Sequence, residues 1–358
     1  MKLPAMTSAW IRSRLRGGPF SCNLKITERC NLRCRMCSIW RRGDAAREMD
    51  FHALQRVCLH LKELGLGRVV ITGGEPLLRP DVTHIVRLFA RSGMSTTLLT
   101  NGTLLRPNTL SQLAHAGLQD LGISLDSLRP EVEDDLCQGS GVLDRILRIL
   151  PEAVERLPRG IVQVMITVTP DNLNEVPEIV RWADSIGAYS VVNPVNLPAN
   201  QSANRLLSGE LDPFAGRTFP RDQVNRLYDE LQTLKRQGIR LLVSNRFLAA
   251  SREYLLTGNY AFRCHAGKHY FTIFSDGSVA ACSDLSPSLS ALDRDFVRQF
   301  TSRKTQDELA AQRLQCEGCI YSCWREISYL LYDPRTLAER AILGGRLALR
   351  AMRRRTAT

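Results

Sequence analysis

The chain has 358 residues, 44% of them hydrophobic and 23% charged. That ordinary globular composition excludes intrinsic disorder, a collagen-like chain and a short disulfide scaffold. No apolar run is long enough to cross a bilayer, and the opening MKLPAMTSAWIRSRLRGG lacks the unbroken apolar stretch of a secretory signal. The net charge of +12 sits at the two ends: residues 1–25 hold +5, residues 335–358 hold +6, and the 309 residues between them hold +1.

After a basic lead segment the chain alternates. Short β-type runs are expected at 23–26, 68–71, 96–99, 121–125, 161–168 and 190–195, with helical patterns at 50–64, 81–92, 107–116, 141–156 and 175–186. In the first helix, Leu54, Val57, Cys58, Leu61 and Leu64 recur at helical spacing, which makes Cys58 a core residue. Strands joined by helical crossovers predict a parallel sheet with right-handed connections. Six repeats rather than eight predict a partial (β/α)6 barrel, with a helix closing some of the gap. The stretch 196–220, rich in Pro, Asn, Ser and Gly, reads as a linker or substrate-facing loop. A helix at 221–237, a strand at 239–243 and a hairpin turning at Asp276-Gly277 follow, and the last 24 residues read as helical. The expected organisation is a basic segment at 1–19, a core at 20–200, a linker and helix at 201–238, a small α+β domain at 239–333 and a basic amphipathic helix at 334–358.

Eleven cysteines, with no signal peptide and tight local spacings, point to thiolate ligands in a reducing cytoplasm rather than to disulfides. Cys30, Cys34 and Cys37 follow the first predicted strand, at the end of a parallel sheet where active sites are built. Three thiolates at this spacing can hold three corners of an iron–sulfur cubane and leave one iron open. Zinc would want a fourth ligand nearby. Cys22, however, lies across the strand, and no histidine precedes His52.

Further motifs end the later strands: Gly73-Gly74-Glu75-Pro76, Thr100-Asn101-Gly102, Ser124-Leu125-Asp126, then Asn172 and Asn174, and Asn193-Pro194. With the Cys30/Cys34/Cys37 spacing, this order resembles the radical S-adenosylmethionine (SAM) enzymes over residues 20–200. The resemblance implies a SAM-binding [4Fe–4S] cluster on the three cysteines, with the GGEP segment at the SAM amino group. It also implies polar contacts to SAM from Asn101, Ser124, Asp126 and Asn174. It further implies that one electron from the cluster cleaves SAM to methionine and a 5′-deoxyadenosyl radical, which abstracts a substrate hydrogen. Met36 stands where the family has an aromatic residue and is expected to pack against adenine. Arg145 is a candidate for the SAM carboxylate.

The second cysteine group is Cys264, Cys282, Cys316, Cys319 and Cys323, in the order C-x12-G-x4-C and then CEGCIYSC. By spacing alone, four of these thiolates suit zinc or a [4Fe–4S] cluster equally. The pattern resembles the SPASM or shorter twitch extension of radical SAM enzymes. That implies an auxiliary [4Fe–4S] cluster, with Cys264, Cys282, Cys316 and Cys319 preferred and Cys323 as a replacement or a spare thiol. Cys22 and Cys137 read as bystanders, and His265 and His269 as surface residues or donors to cluster sulfurs.

The expected function is radical SAM oxidation or functionalisation of a C–H position in a small-molecule or lipid-linked substrate. Flavodoxin or ferredoxin would be the electron donor. A peptide (RiPP-type) maturase is the alternative, disfavoured because the first cluster motif starts at residue 30 and leaves no room for a leader-binding module. A non-catalytic metal-binding or electron-transfer protein is a third reading, and the GGEP and SLD motifs argue against it. The basic ends suit an anionic membrane surface at the inner face. The near-absence of interleaved aromatics in them argues against nucleic acid.

Overall fold

The computed structural model describes residues 5–355 apart from 44–46, 158–159, 197–213, 215–216, 259–261 and 317. Most of the Pro- and Ser-rich stretch expected as a linker therefore lies outside the described residues, as do the side chains of 346–355.

In chain order the elements are α1 (Ala5–Arg16), β1 (Ser21–Thr27), α2 (Phe51–Glu63), β2 (Arg68–Gly73), α3 (Val82–Arg91), β3 (Ser95–Thr100), α4 (Pro107–Ala116), β4 (Asp120–Ser124), α5 (Pro130–Cys137) and α6 (Val142–Arg156). Next come β5 (Ile161–Val168), α7 (Val176–Ser185), β6 (Tyr189–Pro194), α8 (Arg221–Arg236), α9 (Asn245–Thr257), β7 (Tyr270–Ile273), β8 (Ser278–Ala280) and β9 (Leu289–Ser290). The chain ends in α10 (Phe296–Thr301), α11 (Arg303–Leu314), α12 (Ser322–Tyr332) and α13 (Pro334–Arg355).

Local chemistry sets the boundaries. Asp50 caps α2 by accepting from Ala53 N at 2.7 Å. Pro107 opens α4, and Gly117, at φ +96°, ends it in the left-handed region.

The strands form one sheet in the order β6-β5-β4-β3-β2-β1-β7-β8-β9, parallel from β6 to β7 and antiparallel beyond. This is a partial (β/α) barrel, open rather than closed. The hairpin of the C-terminal region does not stand apart: β7 pairs with β1, from Ser21 opposite Tyr270 to Leu24 opposite Ile273.

The pleat sorts the strand residues into two faces. Cys22, Leu24, Ile26, Val69, Ile71, Leu98, Leu121, Ile123, Val164 and Ile166 pack into the core under the helices. The register places Asn23, Lys25, Arg68, Thr97, Asp120 and Gln163 on the opposite, concave face. A sheet whose inner wall carries amides, hydroxyls and charges is built to hold a polar ligand rather than to fill itself.

The strand expected at 239–243 is a single bridge, Leu241 to Ser190, beside β6. Helix α9 follows at once and leaves no room to extend it. The C-terminal segment reaches back across the open side. Asn196, just beyond β6, accepts from Ile320 N at 3.4 Å and donates to Tyr321 Oη at 3.3 Å. From the other side, Trp324 stacks on Tyr270 at 4.7 Å and Tyr332 Oη meets His269 Nε2 at 2.7 Å. His269, expected at the surface, is fully buried, with Nδ1 on Ser13 Oγ at 2.8 Å. It ties α1, β7 and α12 together, which is why an imidazole with two hydrogen-bonding ends is used there.

Candidate radical SAM site and auxiliary cysteine group

The loop after β1 carries Cys30, Cys34 and Cys37 and is clamped at its base. Arg79, buried under it, donates to Ile26 O at 3.1 Å and Met49 O at 2.8 Å, joining the start of the loop to its end. Asp81 receives the other side of that guanidinium at 2.8 and 2.7 Å. Glu48 takes Arg29 Nε at 2.8 Å and the hydroxyl of Thr27. Within the loop, Cys37 N donates to Cys34 O at 3.1 Å, which turns the chain between those two thiols. All three cysteines are partly exposed.

The GGEP turn lies directly on this loop. Gly74 N donates to Thr27 O at 2.9 Å and Glu75 N to Arg29 O at 2.8 Å. A Cβ on Gly73 would stand 2.1 Å from Thr27 O, and one on Gly74 2.2 Å from Arg29 O. Both glycines are therefore required by close backbone approach.

Glu75 itself, fully buried, accepts from Leu77 N at 3.0 Å, Thr100 Oγ1 at 2.7 Å and Asn101 N at 2.8 Å. Burial raises its pKa. The carboxylate expected to accept from a SAM ammonium thus also ties the end of β3 to the end of β2. Asn101 then reaches the cysteine loop, with Nδ2 at 3.0 Å from Asn31 Oδ1 and 3.9 Å from Cys30 Sγ. Asn31 and Thr103 complete this polar contact at 2.8 Å, and neither was singled out by motif.

The remaining expected SAM contacts divide. Ser124 sits partly exposed on the concave face at the end of β4. Asp126 is buried and accepts from Thr167 N at 2.6 Å, while its own N–H and that of Ser127 bond Glu133 Oε2 at 2.9 and 2.7 Å. Asn172 bridges the carbonyls of Asp126 and Thr167 at 2.7 and 2.8 Å. Asn174 is exposed at the turn before α7, and Arg145 is exposed on the first turn of α6. Met36 packs partly buried against the Leu136, Val195 and Phe214 cluster. Lys25, counted by sequence with the basic end, is buried on the concave face, its Nζ 4.6 Å from the Phe274 ring centre. Burial lowers its pKa, opposed by Glu28, Asp284 and Cys37.

At the second group, Cys264, Cys282, Cys316 and Cys319 line one cavity of about 760 Å³, with Arg263 and Arg313 also in its wall. Among the described residues no three Cys, His, Asp or Glu converge as a ready mononuclear metal site; these thiols surround open space.

A shared detail marks the sulfurs. The N–H two residues on donates to Cys30 Sγ at 3.5 Å and to the sulfurs of Cys264, Cys282 and Cys316 at 3.4 Å each. Ile39 N and Tyr321 N do the same for Cys37 and Cys319. Burial raises the pKa of Cys37 to about 11 and of Cys319 further, and these N–H bonds oppose the shift. N–H groups aimed at sulfur favour the thiolate, the form that ligates metal. Cys323 instead takes the N–H of Trp324, one residue on, and lies near Arg68 and the cavity residue Asp284. The donor geometry thus fits soft-metal clusters at both groups, and Cys323 differs from the other four in taking its N–H from the next residue.

Residues 24–183 match the model of the Radical SAM superfamily. That segment, from β1 to α7, is similar to a radical SAM domain. Similar curated proteins include a GTP 3′,8-cyclase of Sulfurovum sp. (strain NBC37-1), 32% identical over 164 residues, covering 44% of this chain and 49% of that protein. Another is the AdoMet-dependent heme synthase of Methanosarcina barkeri, 32% identical over 171 residues, covering 46% and 47%. The chain spans about half the length of the curated relatives it matches. Among solved structures, Streptococcus suis SuiB bound to S-adenosylmethionine aligns at TM-score 0.65 and 15% identity over 89% of this chain and 76% of that one. anSMEcpe with bound AdoMet and Cp18Cys peptide aligns at 0.61 and 16%, over 91% and 99%. These two share the fold. The cofactors of a radical SAM domain are a [4Fe–4S] cluster and SAM.

Two outcomes test the geometry. Gly74→Ala should push the GGEP turn off Arg29 O and leave about half the iron of the unsubstituted chain after reconstitution, with an unchanged far-UV circular dichroism spectrum. Secondly, burial raises the pKa values of both Asp126 and Glu133, and the charge of Asp126 also opposes that of Glu133. A carboxyl raised in the folded state loses stability as pH climbs from its unfolded pKa towards its folded one. The melting temperature of the iron-free chain should fall as pH rises from the ordinary carboxylate range towards neutrality. Asp126→Asn should flatten that fall, and an equally steep fall in the variant would contradict this account.

Proposed function

We propose that this chain reductively cleaves SAM and uses the resulting 5′-deoxyadenosyl radical to oxidise or functionalise a C–H position of a small-molecule or lipid-linked substrate. The observation that carries this reading is the pairing of two cysteine groups, each with N–H donors aimed at its sulfurs, on one radical SAM sheet with a polar concave face.

Cys30, Cys34 and Cys37 would hold the SAM-binding [4Fe–4S] cluster, and Cys264, Cys282, Cys316 and Cys319 the auxiliary [4Fe–4S] cluster of a twitch-like segment. When bound, the first cluster supplies the electron that breaks the SAM sulfonium bond.

The chain's own contribution is position. Glu75 and Arg79 fix the loop, and Gly73 and Gly74 bring backbone carbonyls and amides close to it. Asn101 and Ser124 present polar groups on the same side, and Lys25, Arg68 and Asp120 offer charge to substrate on the concave wall. We assign the core to residues 20–200 and the auxiliary segment to 239–333. The donor would be a flavodoxin or ferredoxin.

Anaerobically reconstituted protein should hold about eight irons and release 5′-deoxyadenosine on reduction. Replacing Cys30, Cys34 and Cys37 together by Ala should keep about half the iron and abolish the release. Cys264→Ala with Cys316→Ala should also keep about half, yet retain cleavage, and Cys323→Ala should keep nearly all. Purified protein holding zinc and no iron would sink the reading.

The basic ends support a further part of the proposal, residence at the cytoplasmic face of a membrane. No described helix is long and apolar enough to cross a bilayer. Arg14 of α1 lies 5.4 Å from the ring centre of Tyr332, so the N-terminal helix meets the end of α12, two residues before α13 begins. Exposed Leu15 of α1 and exposed Leu337 and Ile342 of α13 stand among the arginines of those helices, with exposed Tyr332 between them. Each Lys or Arg near an anionic leaflet contributes about 1 kcal/mol, screened by salt. Flotation with phosphatidylserine-containing liposomes should show binding at low salt that falls at high salt and on truncation after Asp333. A chain that stays at the bottom of the gradient at low salt would leave these helices simply solvated.

A further inference from the structure

Cys137 has a partner that its place in the sequence conceals. It ends α5, buried, and the cysteine loop is laid against that end by two backbone bonds on either side of Cys34: Arg33 N to Cys137 O at 3.2 Å and Arg35 N to Leu136 O at 2.9 Å. Gly139 adds to the contact, since a Cβ there would stand 2.9 Å from Leu32 Cδ2. Between these points the Cys137 thiol lies close enough to Cys34 to be influenced by it, and it donates to Glu133 Oε1 at 3.5 Å. Cys22 and Cys58, the other cysteines outside the two groups, are also buried and lie in the core cluster beneath the sheet and helices.

We infer that Cys34 and Cys137 form a reversible disulfide in the iron-free chain, making Cys137 a guard for the middle thiol of the loop. A disulfide requires its two residues to be neighbours before oxidation, and backbone bonds on both sides of Cys34 supply that. The reaction is thiol–disulfide exchange. A low-molecular-weight disulfide such as oxidised glutathione accepts two electrons and two protons and leaves as two thiols, while Cys34 and Cys137 lose one hydrogen each and join. A dithiol reductant reverses it. While joined, Cys34 is kept from the irreversible steps of sulfur oxidation and from iron. The effect on iron rests on the reading of Cys34 as a cluster ligand, whereas the disulfide itself does not.

The experiment uses the full chain, freed of iron and reduced, then exposed to oxidised glutathione, alkylated, digested and mapped without reduction by mass spectrometry. The expected main product joins the Cys34 and Cys137 peptides and disappears after dithiothreitol. Cys34 recovered on Cys30, Cys37 or glutathione, with Cys137 alkylated, overturns the proposal. This map decides the matter even if a variant folds poorly. As a second readout, the unsubstituted chain taken through oxidation with hydrogen peroxide and then dithiothreitol should regain its iron on reconstitution, whereas Cys137→Ser should regain clearly less. Equal recovery removes the guarding role. A chain that forms the linkage but never binds iron would fail the proposed function and leave the disulfide standing.

Discussion

A single buried carboxylate organises the C-terminal edge of the sheet. Glu75 leaves β2, spends both oxygens on donors from its own turn and from β3, and uses its backbone N–H to hold Arg29 O in the cysteine loop. Three successive strand ends are thereby fixed to one another through one residue. A buried carboxylate with three donors is tolerable, whereas one deprived of them is costly. The loops therefore move together or not at all. The two glycines before it make the same demand sterically, since neither position has space for a methyl group. The geometry of the cysteine loop thus follows from what lies beneath it, and the thiols are placed by a turn that contains no thiol.

Much of this was legible in the residues. The six parallel strands announce themselves as β-branched runs separated by helical periods, and the motifs fall at their ends. The C-x12-G-x4-C spacing marked a hairpin, because Asp276-Gly277 can hardly be read otherwise. What escaped was of two kinds. Helices α5, α9 and α11 carry weak or strongly polar patterns and are stabilised by neighbours rather than by a clean apolar face. Other features depend on contacts distant in sequence. Cys137 is more than a hundred residues from Cys34, and nothing local marks it. Lys25 was counted with a basic tail because charge totals are blind to the pleat, which turns it inward.

The i+2 N–H to sulfur contacts lie between these cases. They are local, yet they become visible only when the backbone is placed. They distinguish four cysteines of the second group from the fifth, which spacing alone left open. Cys323 lies close in sequence to Cys319 and still takes a different donor, because it enters α12 while Cys319 remains in the preceding turn.

The pairing of β7 with β1 gives the molecule a fixed ruler. The strand that delivers the first cysteine loop at one end is bonded, residue against residue, to the strand flanked by Cys264 and, through the hairpin, Cys282. Slipping that register by one residue would move the second group by about 3.3 Å and turn each side chain to the opposite face. Between the two cysteine groups, distance is therefore available only in discrete and disruptive increments. A change of substrate in such a scaffold has to be absorbed by the loops and helices above the concave face, leaving the span between the two sulfur-lined ends as the constant of the design.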